Sequence, residues 1–199
     1  MQKEKVSEKI SVKIIRKKYS DSSPFVKFVV NAALLGGAWV LFFTIFRNFE
    51  AIAFAYREGT RLLTTFLLYA TQFTLSIIGY NSEVFPEAKI VQLEGTGGVL
   101  LDLGCLGRNL MGLYIGFLLA FPGSIKSKLW YIPMGVVIIN FLNVLRIAGL
   151  SLVLLYIPEY MDINHHFVFS TVVYTCIFIM WVIWIRKYSS TKDLKKSKS

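Results

Sequence analysis

The chain has 199 residues, 55% of them hydrophobic, and a mean hydropathy of +0.56. That is too apolar for an ordinary soluble domain of this length and reads as one integral membrane domain. The formal net charge of +10 does not point to nucleic acid as a partner. The basic residues gather at the two termini beside apolar spans, where such flanks set topology and meet anionic lipid.

Residues 1–24 carry Lys3, Lys5, Lys9, Lys13, Arg16, Lys17 and Lys18 with few acids. They read as a basic cytoplasmic segment ahead of a membrane domain over 25–186. No cleavable signal peptide is expected, because the basic stretch is long and no small-residue cleavage site follows a short apolar core. Phe25–Phe46 is long enough to span a bilayer. Residues 47–80 are ambiguous. Leu62–Tyr80 has the length of a span but holds Thr64, Thr65, Thr71, Gln72, Thr74 and Ser76, and the turns before it carry Arg57, Glu58 and Arg61. In Asn81–Gly104, the short β-prone runs AKIVQL and GVLLDL flank the turn signal EGTGG. They predict a small hairpin that delivers the chain to Cys105 and could bind an extended peptide by strand addition. Leu106–Phe121 is a short span, and PGSIKSK a tight loop with two lysines. Leu129–Ile157 is a long apolar helix ended by Pro158, roughly 43 Å at 1.5 Å per residue and longer than the ~30 Å hydrocarbon core. The loop PEYMDINHH carries two acids and no Lys or Arg. Phe167–Ile185 is the last span, with Trp181 and Trp184 as interfacial anchors, and 187–199 form a basic cytoplasmic tail.

The positive-inside rule places both termini and PGSIKSK in the cytoplasm and the hairpin and PEYMDINHH loop outside. That arrangement holds only if Leu62–Tyr80 does not cross. The expected architecture is therefore an all-α polytopic bundle of about four transmembrane helices. An amphipathic helix over 48–80 would lie in the outer interface or pack on the bundle, and the hairpin would be extracytoplasmic. Five or six spans are the alternatives.

Candidate chemistry centres on LDLGCLGRNLMG, in which Cys105 lies between two glycines. A helix beginning near Cys105 would set Arg108 and Asn109 on the sulfur's face and its dipole would favour the thiolate. Arg146 lies inside an apolar helix, where a guanidinium costs roughly 2.5–3.5 kcal/mol on insertion scales, and Asn143 shares its face one turn earlier. His165 and His166 are the only histidines. All three groups fall on the predicted outer side. Each has a plain alternative: a bracing arginine, a packing cysteine, a polar loop cap. Together they supply a nucleophile, a base and an oxyanion donor for cysteine acyl transfer. Two adjacent histidines and one cysteine are a poor zinc set, HExxH and GxSxG are absent, and no metal or cofactor is expected. Cys176, in the middle of a span, reads as packing.

GCLGRNLMG, NFLNVLRIAGLSLVLLY and HHFVFSTVVY together resemble the exosortase/archaeosortase family over residues 81–186, in its short, core-only form. The resemblance implies a membrane cysteine peptidase-transpeptidase with Cys105 as nucleophile, Arg146 as the essential arginine and the histidine pair as the essential histidine, His165 being the better match by its spacing to the following aromatic residues and His166 the alternative. His166 and Asn143 would support them. It further implies exported substrate proteins with a C-terminal sorting signal and an acceptor nucleophile of unknown identity. Larger members show Cys-x-Gly-x-Arg, whereas Arg108 stands three residues after Cys105, so no role passes to Arg108. The competing class is a non-enzymatic membrane assembly or export factor that binds a partner through the same Arg and His residues.

Overall fold

A computed structural model of the chain describes residues 19, 22–46, 50–102, 104–164 and 168–188. The described residues form five long helices and one small antiparallel sheet: α1 Pro24–Phe46, α2 Glu50–Ile77, β1 Ser82–Phe85, β2 Ile90–Leu93, β3 Val99–Leu100, α3 Arg108–Ala120, α4 Ile125–Tyr156 and α5 Phe169–Lys187. Three of them, α1, α4 and α5, are long and apolar enough to cross a membrane, so the chain reads as a multi-pass membrane protein. Helix α3 is apolar but has only 13 residues.

Helix α4 is the axis of the molecule. Its 32 residues rise about 48 Å. It begins four residues earlier than the sequence predicts, because Ile125–Lys128 fold as its first turn. The lysine-bearing loop therefore shrinks to the connector 121–124. Two cores stack along it. Around its first half, Tyr131 and Ile139 pack with Tyr114 and Leu118 of α3 and with Val173, Ile177, Met180 and Trp184 of α5. Gly135 permits close approach here, since any Cβ would strike the Tyr114 ring. Around its second half, Val144, Ile147, Ala148 and Leu150 pack with Leu67, Leu68 and Leu75 of α2 and with the sheet residues Val91, Leu93 and Val99.

Residues 50–77 are one continuous helix packed on the bundle, one of the two arrangements expected for this segment. Thr64 and Thr71 turn inward with the leucines. Thr64 Oγ1 donates to the Thr60 carbonyl at 2.8 Å, the intrahelical bond that makes a buried hydroxyl tolerable. The opposite face, Leu62, Phe66, Tyr69, Phe73 and Ile77, is apolar and exposed at spacings of three and four, as for a lipid-facing stripe.

The predicted hairpin is present as β2 and β3, paired Ile90↔Leu100 and Val91↔Val99. Gly98 closes it at φ +81°, where a Cβ would fall 2.6 Å from Ile90 Cγ2. Strand β1 is a third strand that the sequence reading missed, paired with β2 from Ser82↔Leu93 to Phe85↔Ile90. Its turn, Pro86–Lys89, ends with Lys89 at φ 57° and a bond from Lys89 N to the Pro86 carbonyl at 3.2 Å.

Trp184 is not an interfacial anchor. It is 0% exposed. Its ring centroid lies 5.1 Å from Tyr131 and 5.5 Å from Tyr188, and Trp181 stacks on Phe117 at 4.4 Å. The α3–α4–α5 core needs large flat rings where three helices meet, and this need overrides the interfacial preference. The rings left exposed at that end include Trp130, 48% exposed.

Candidate functional site

The segment between β3 and α3 is a tight turn. Cys105 N donates to the Asp102 carbonyl at 2.8 Å, and Gly107 N-caps α3 in the left-handed region at φ 67°. The first helical bond runs from Met111 N to the Gly107 carbonyl at 2.9 Å. Helix α3 therefore starts at Arg108, three residues later than the sequence predicts, because Gly107's left-handed backbone cannot be helical. Cys105 precedes the helix, so neither the macrodipole argument nor a face shared with Arg108 and Asn109 applies to it.

Arg108 turns instead to α2. Its Nη1 donates to Thr60 Oγ1 at 2.9 Å, and its guanidinium carbon lies 4.9 Å from the Tyr56 ring centroid. These α2 partners had no signal in sequence, since nothing local links positions 56 and 60 to position 108.

Asn143 and Arg146, one turn apart on α4, are buried at the junction of the two cores, 0% and 7% exposed. Lys126 and Arg146, twenty residues apart on α4, are separated by a rise of about 30 Å. Asn143 Nδ2 donates to the Leu106 carbonyl at 3.4 Å. The Asn143 carboxamide occupies the space a side chain at position 107 would need. Glycine at 107 thus serves two ends: it permits the left-handed cap, and it lets α4 approach the turn that carries the sulfur.

Cys105 is a free thiol, 6% exposed. Burial pushes its pKa above the ordinary value. The Arg146 charge and a backbone hydrogen bond from Asp102 pull it down, and the Asp102 charge adds a smaller rise. The net direction is upward, which corrects the expectation of a helix-stabilised thiolate: desolvation outweighs the arginine. The structure thus brings Cys105, Asn143 and Arg146 together. His165 and His166 lie outside the described residues, one and two positions beyond Asn164. Among the described residues no cluster of His, Cys, Asp and Glu could hold a metal ion. Cys176 is half-buried on α5.

Comparisons of the chain with protein-family models, curated proteins and solved structures find no match.

Proposed function

We propose that this chain is a membrane cysteine peptidase-transpeptidase of the exosortase/archaeosortase type that cuts C-terminal sorting signals from exported proteins outside the cytoplasmic membrane. The observation that carries this reading is a buried thiol within electrostatic reach of a buried arginine inside an apolar helix, on a turn held by Asn143. Orientation rests on charge. Lys27, Lys126, Lys128, Arg186 and Lys187 share one end, which the positive-inside rule makes cytoplasmic. Cys105, the sheet and the acidic residues Glu83, Glu87, Glu94 and Glu159 belong to the other. In this reading α3 is the fourth crossing. Its 13 residues rise only about 20 Å, so the connector and the turn bearing Cys105 complete the crossing.

The chemistry needs a base because the thiol is neutral at physiological pH. His165 takes the Cys105 proton, and the sulfur attacks the substrate carbonyl carbon. The developing oxyanion is held by the Arg146 guanidinium. The C–N bond breaks, the amine leaves with the proton from His165, and a Cys105 thioester remains. Water or an acceptor nucleophile then attacks the thioester, releasing the thiol. The exposed edges of the three-stranded sheet suit an extended substrate segment.

The test is the thioester itself. Peptides containing Cys105, recovered from the protein in its native membrane, should carry a hydroxylamine-labile acyl mass that is absent from Cys105→Ser. A protein that only binds a partner through Arg146 and the histidines would carry no such adduct.

A further inference from the structure

Helices α1, α3, α4 and α5 contain no Asp or Glu, yet five cations converge at one end of their bundle. The start of α1 is fixed there by Asn31 Nδ2, which donates to the Ala120 carbonyl at 2.9 Å, and by Phe28 packed 5.2 Å from Phe117. The start of α4 and the end of α5 meet through Trp130 and Tyr188, 5.7 Å apart. Lys126, Lys128, Arg186 and Lys187 thus share this end with Lys27. Lys128 Nζ donates to the Leu119 carbonyl at 3.1 Å. Lys187 Nζ lies 5.5 Å from the Tyr188 ring centroid.

A second observation is independent of this charge. The indole N–H groups of Trp181 and Trp184 are buried and find no acceptor among the described residues. A buried indole normally donates, and an orphaned donor in a membrane domain asks for an oxygen. Trp184 lies directly under the connector 121–124. A Cβ on Gly123 would stand 3.0 Å from Trp184 Cζ2, so glycine keeps the cover over the indole thin. Lysines on helices that hold no Asp or Glu, beside unspent N–H donors, complement the acceptor oxygens of a phosphodiester. Beside the lysines on the first turns of α4, Ile125 and Leu129 are 81% and 76% exposed, an apolar bed at the same depth.

We propose that this basic, tryptophan-lined end is a binding site for an anionic phospholipid. Lys126, Lys128 and Lys187 engage the phosphate, the Trp184 indole offers a donor to a headgroup oxygen where the thin connector at Gly123 gives way, and the acyl chains lie along Ile125 and Leu129. The exposed apolar residues favour a lipid over free phosphate. The inference rests on the membrane reading and is independent of the chemistry at Cys105.

The full chain, purified in mild detergent and incubated with phosphatidylglycerol or phosphatidylcholine, is examined by native mass spectrometry. Retained phosphatidylglycerol should exceed phosphatidylcholine. The triple variant Lys126→Gln, Lys128→Gln, Lys187→Gln should lose about a hundredfold in phosphatidylglycerol affinity, at roughly a factor of five per lysine. The opposite-end triple Arg57→Gln, Arg61→Gln, Lys89→Gln should keep it. Trp184→Phe, which removes the indole N–H and leaves a small core cavity, should lower the melting temperature by a few degrees and weaken phosphatidylglycerol retention several-fold in the protein that remains folded. Equal retention of both lipids by the wild-type chain overturns the proposal without any variant, so failure of a variant to accumulate leaves it decidable. Undiminished binding by the lysine triple also overturns it. So does complete displacement by inorganic phosphate but not by chloride at matched ionic strength, since the site would then read phosphate alone.

Discussion

Replacing Gly107 with alanine tests the geometry on which the candidate site depends. At φ 67° an alanine in the left-handed region costs about 1–2 kcal/mol. Its Cβ would lie 3.0 Å from Asn143 Cγ and 3.2 Å from Oδ1, so the carboxamide must move. Moving it breaks the Nδ2 bond to the Leu106 carbonyl and leaves a buried amide unsatisfied, a further cost of about 1–3 kcal/mol. The sum, about 2–5 kcal/mol, is a large share of the stability of an ordinary domain. Gly112→Ala is the control on the same helix, with nothing within 4 Å of its Cβ and no positive φ, and should be neutral or slightly stabilising. Thermal unfolding in detergent reads the stabilities, and the double variant Gly107→Ala, Asn143→Ala completes a cycle. Removing the carboxamide relieves the overlap, so the double variant should be less destabilised than the sum of the singles by about 1–3 kcal/mol. If Gly107→Ala melts like Gly112→Ala, or if the cycle is additive, the Asn143 lock on the Cys105 turn does not exist.

In a Cys176→Ser background, alkylation of Cys105 should rise about tenfold per pH unit through the neutral range, with a midpoint above that of an ordinary thiol because burial raises the pKa. Arg146→Ala removes a lowering influence and should move the midpoint higher still; a midpoint that falls or stays fixed contradicts the electrostatic pairing. Gly135→Ala drives a methyl into the Tyr114 ring and should lower the melting temperature. Tyr114→Phe, which loses only the 2.9 Å bond to the Tyr131 carbonyl, should cost about 1 kcal/mol, so a Gly135→Ala protein as stable as Tyr114→Phe would show that the two helices are not tightly packed. With both native cysteines replaced by serine, a cysteine at Gly97 should react with an impermeant maleimide in intact cells while one at Lys126 stays protected. The reverse pattern would invert the proposed orientation.

The apolar spans and the hairpin were readable because each has a local cause: run length for the helices, EGTGG between β-prone runs for the turn. Strand β1 escaped because SEVF is short and half polar, and its pairing with β2 depends on a left-handed Lys89 that no glycine announces. The start of α3 was misplaced because apolar periodicity begins before Gly107, and only the cap backbone shows where the helix can begin. For α2, composition mixes polar and apolar residues. The side turned inward was settled by tertiary packing, which buried the threonines and left Phe66 and Phe73 outside. At the candidate site, the Asn143–Arg146 pair is visible at a spacing of three. The bond that joins Asn143 to the Cys105 turn, reaching 37 residues back to the Leu106 carbonyl, is long-range and leaves no periodic trace.

The proposed function is cleavage of exported proteins by Cys105. Mass spectrometry of C-terminal peptides from the membrane and extracellular fractions tests it most directly, comparing cells carrying the wild-type chain with cells carrying Cys105→Ser at matched membrane levels. In the variant, a defined set of exported proteins should keep an intact C-terminal segment, made of a short motif, an apolar helix and a basic end, that wild-type cells remove. Identical C-termini in the two strains would contradict the catalytic account and leave Cys105 as a packing residue.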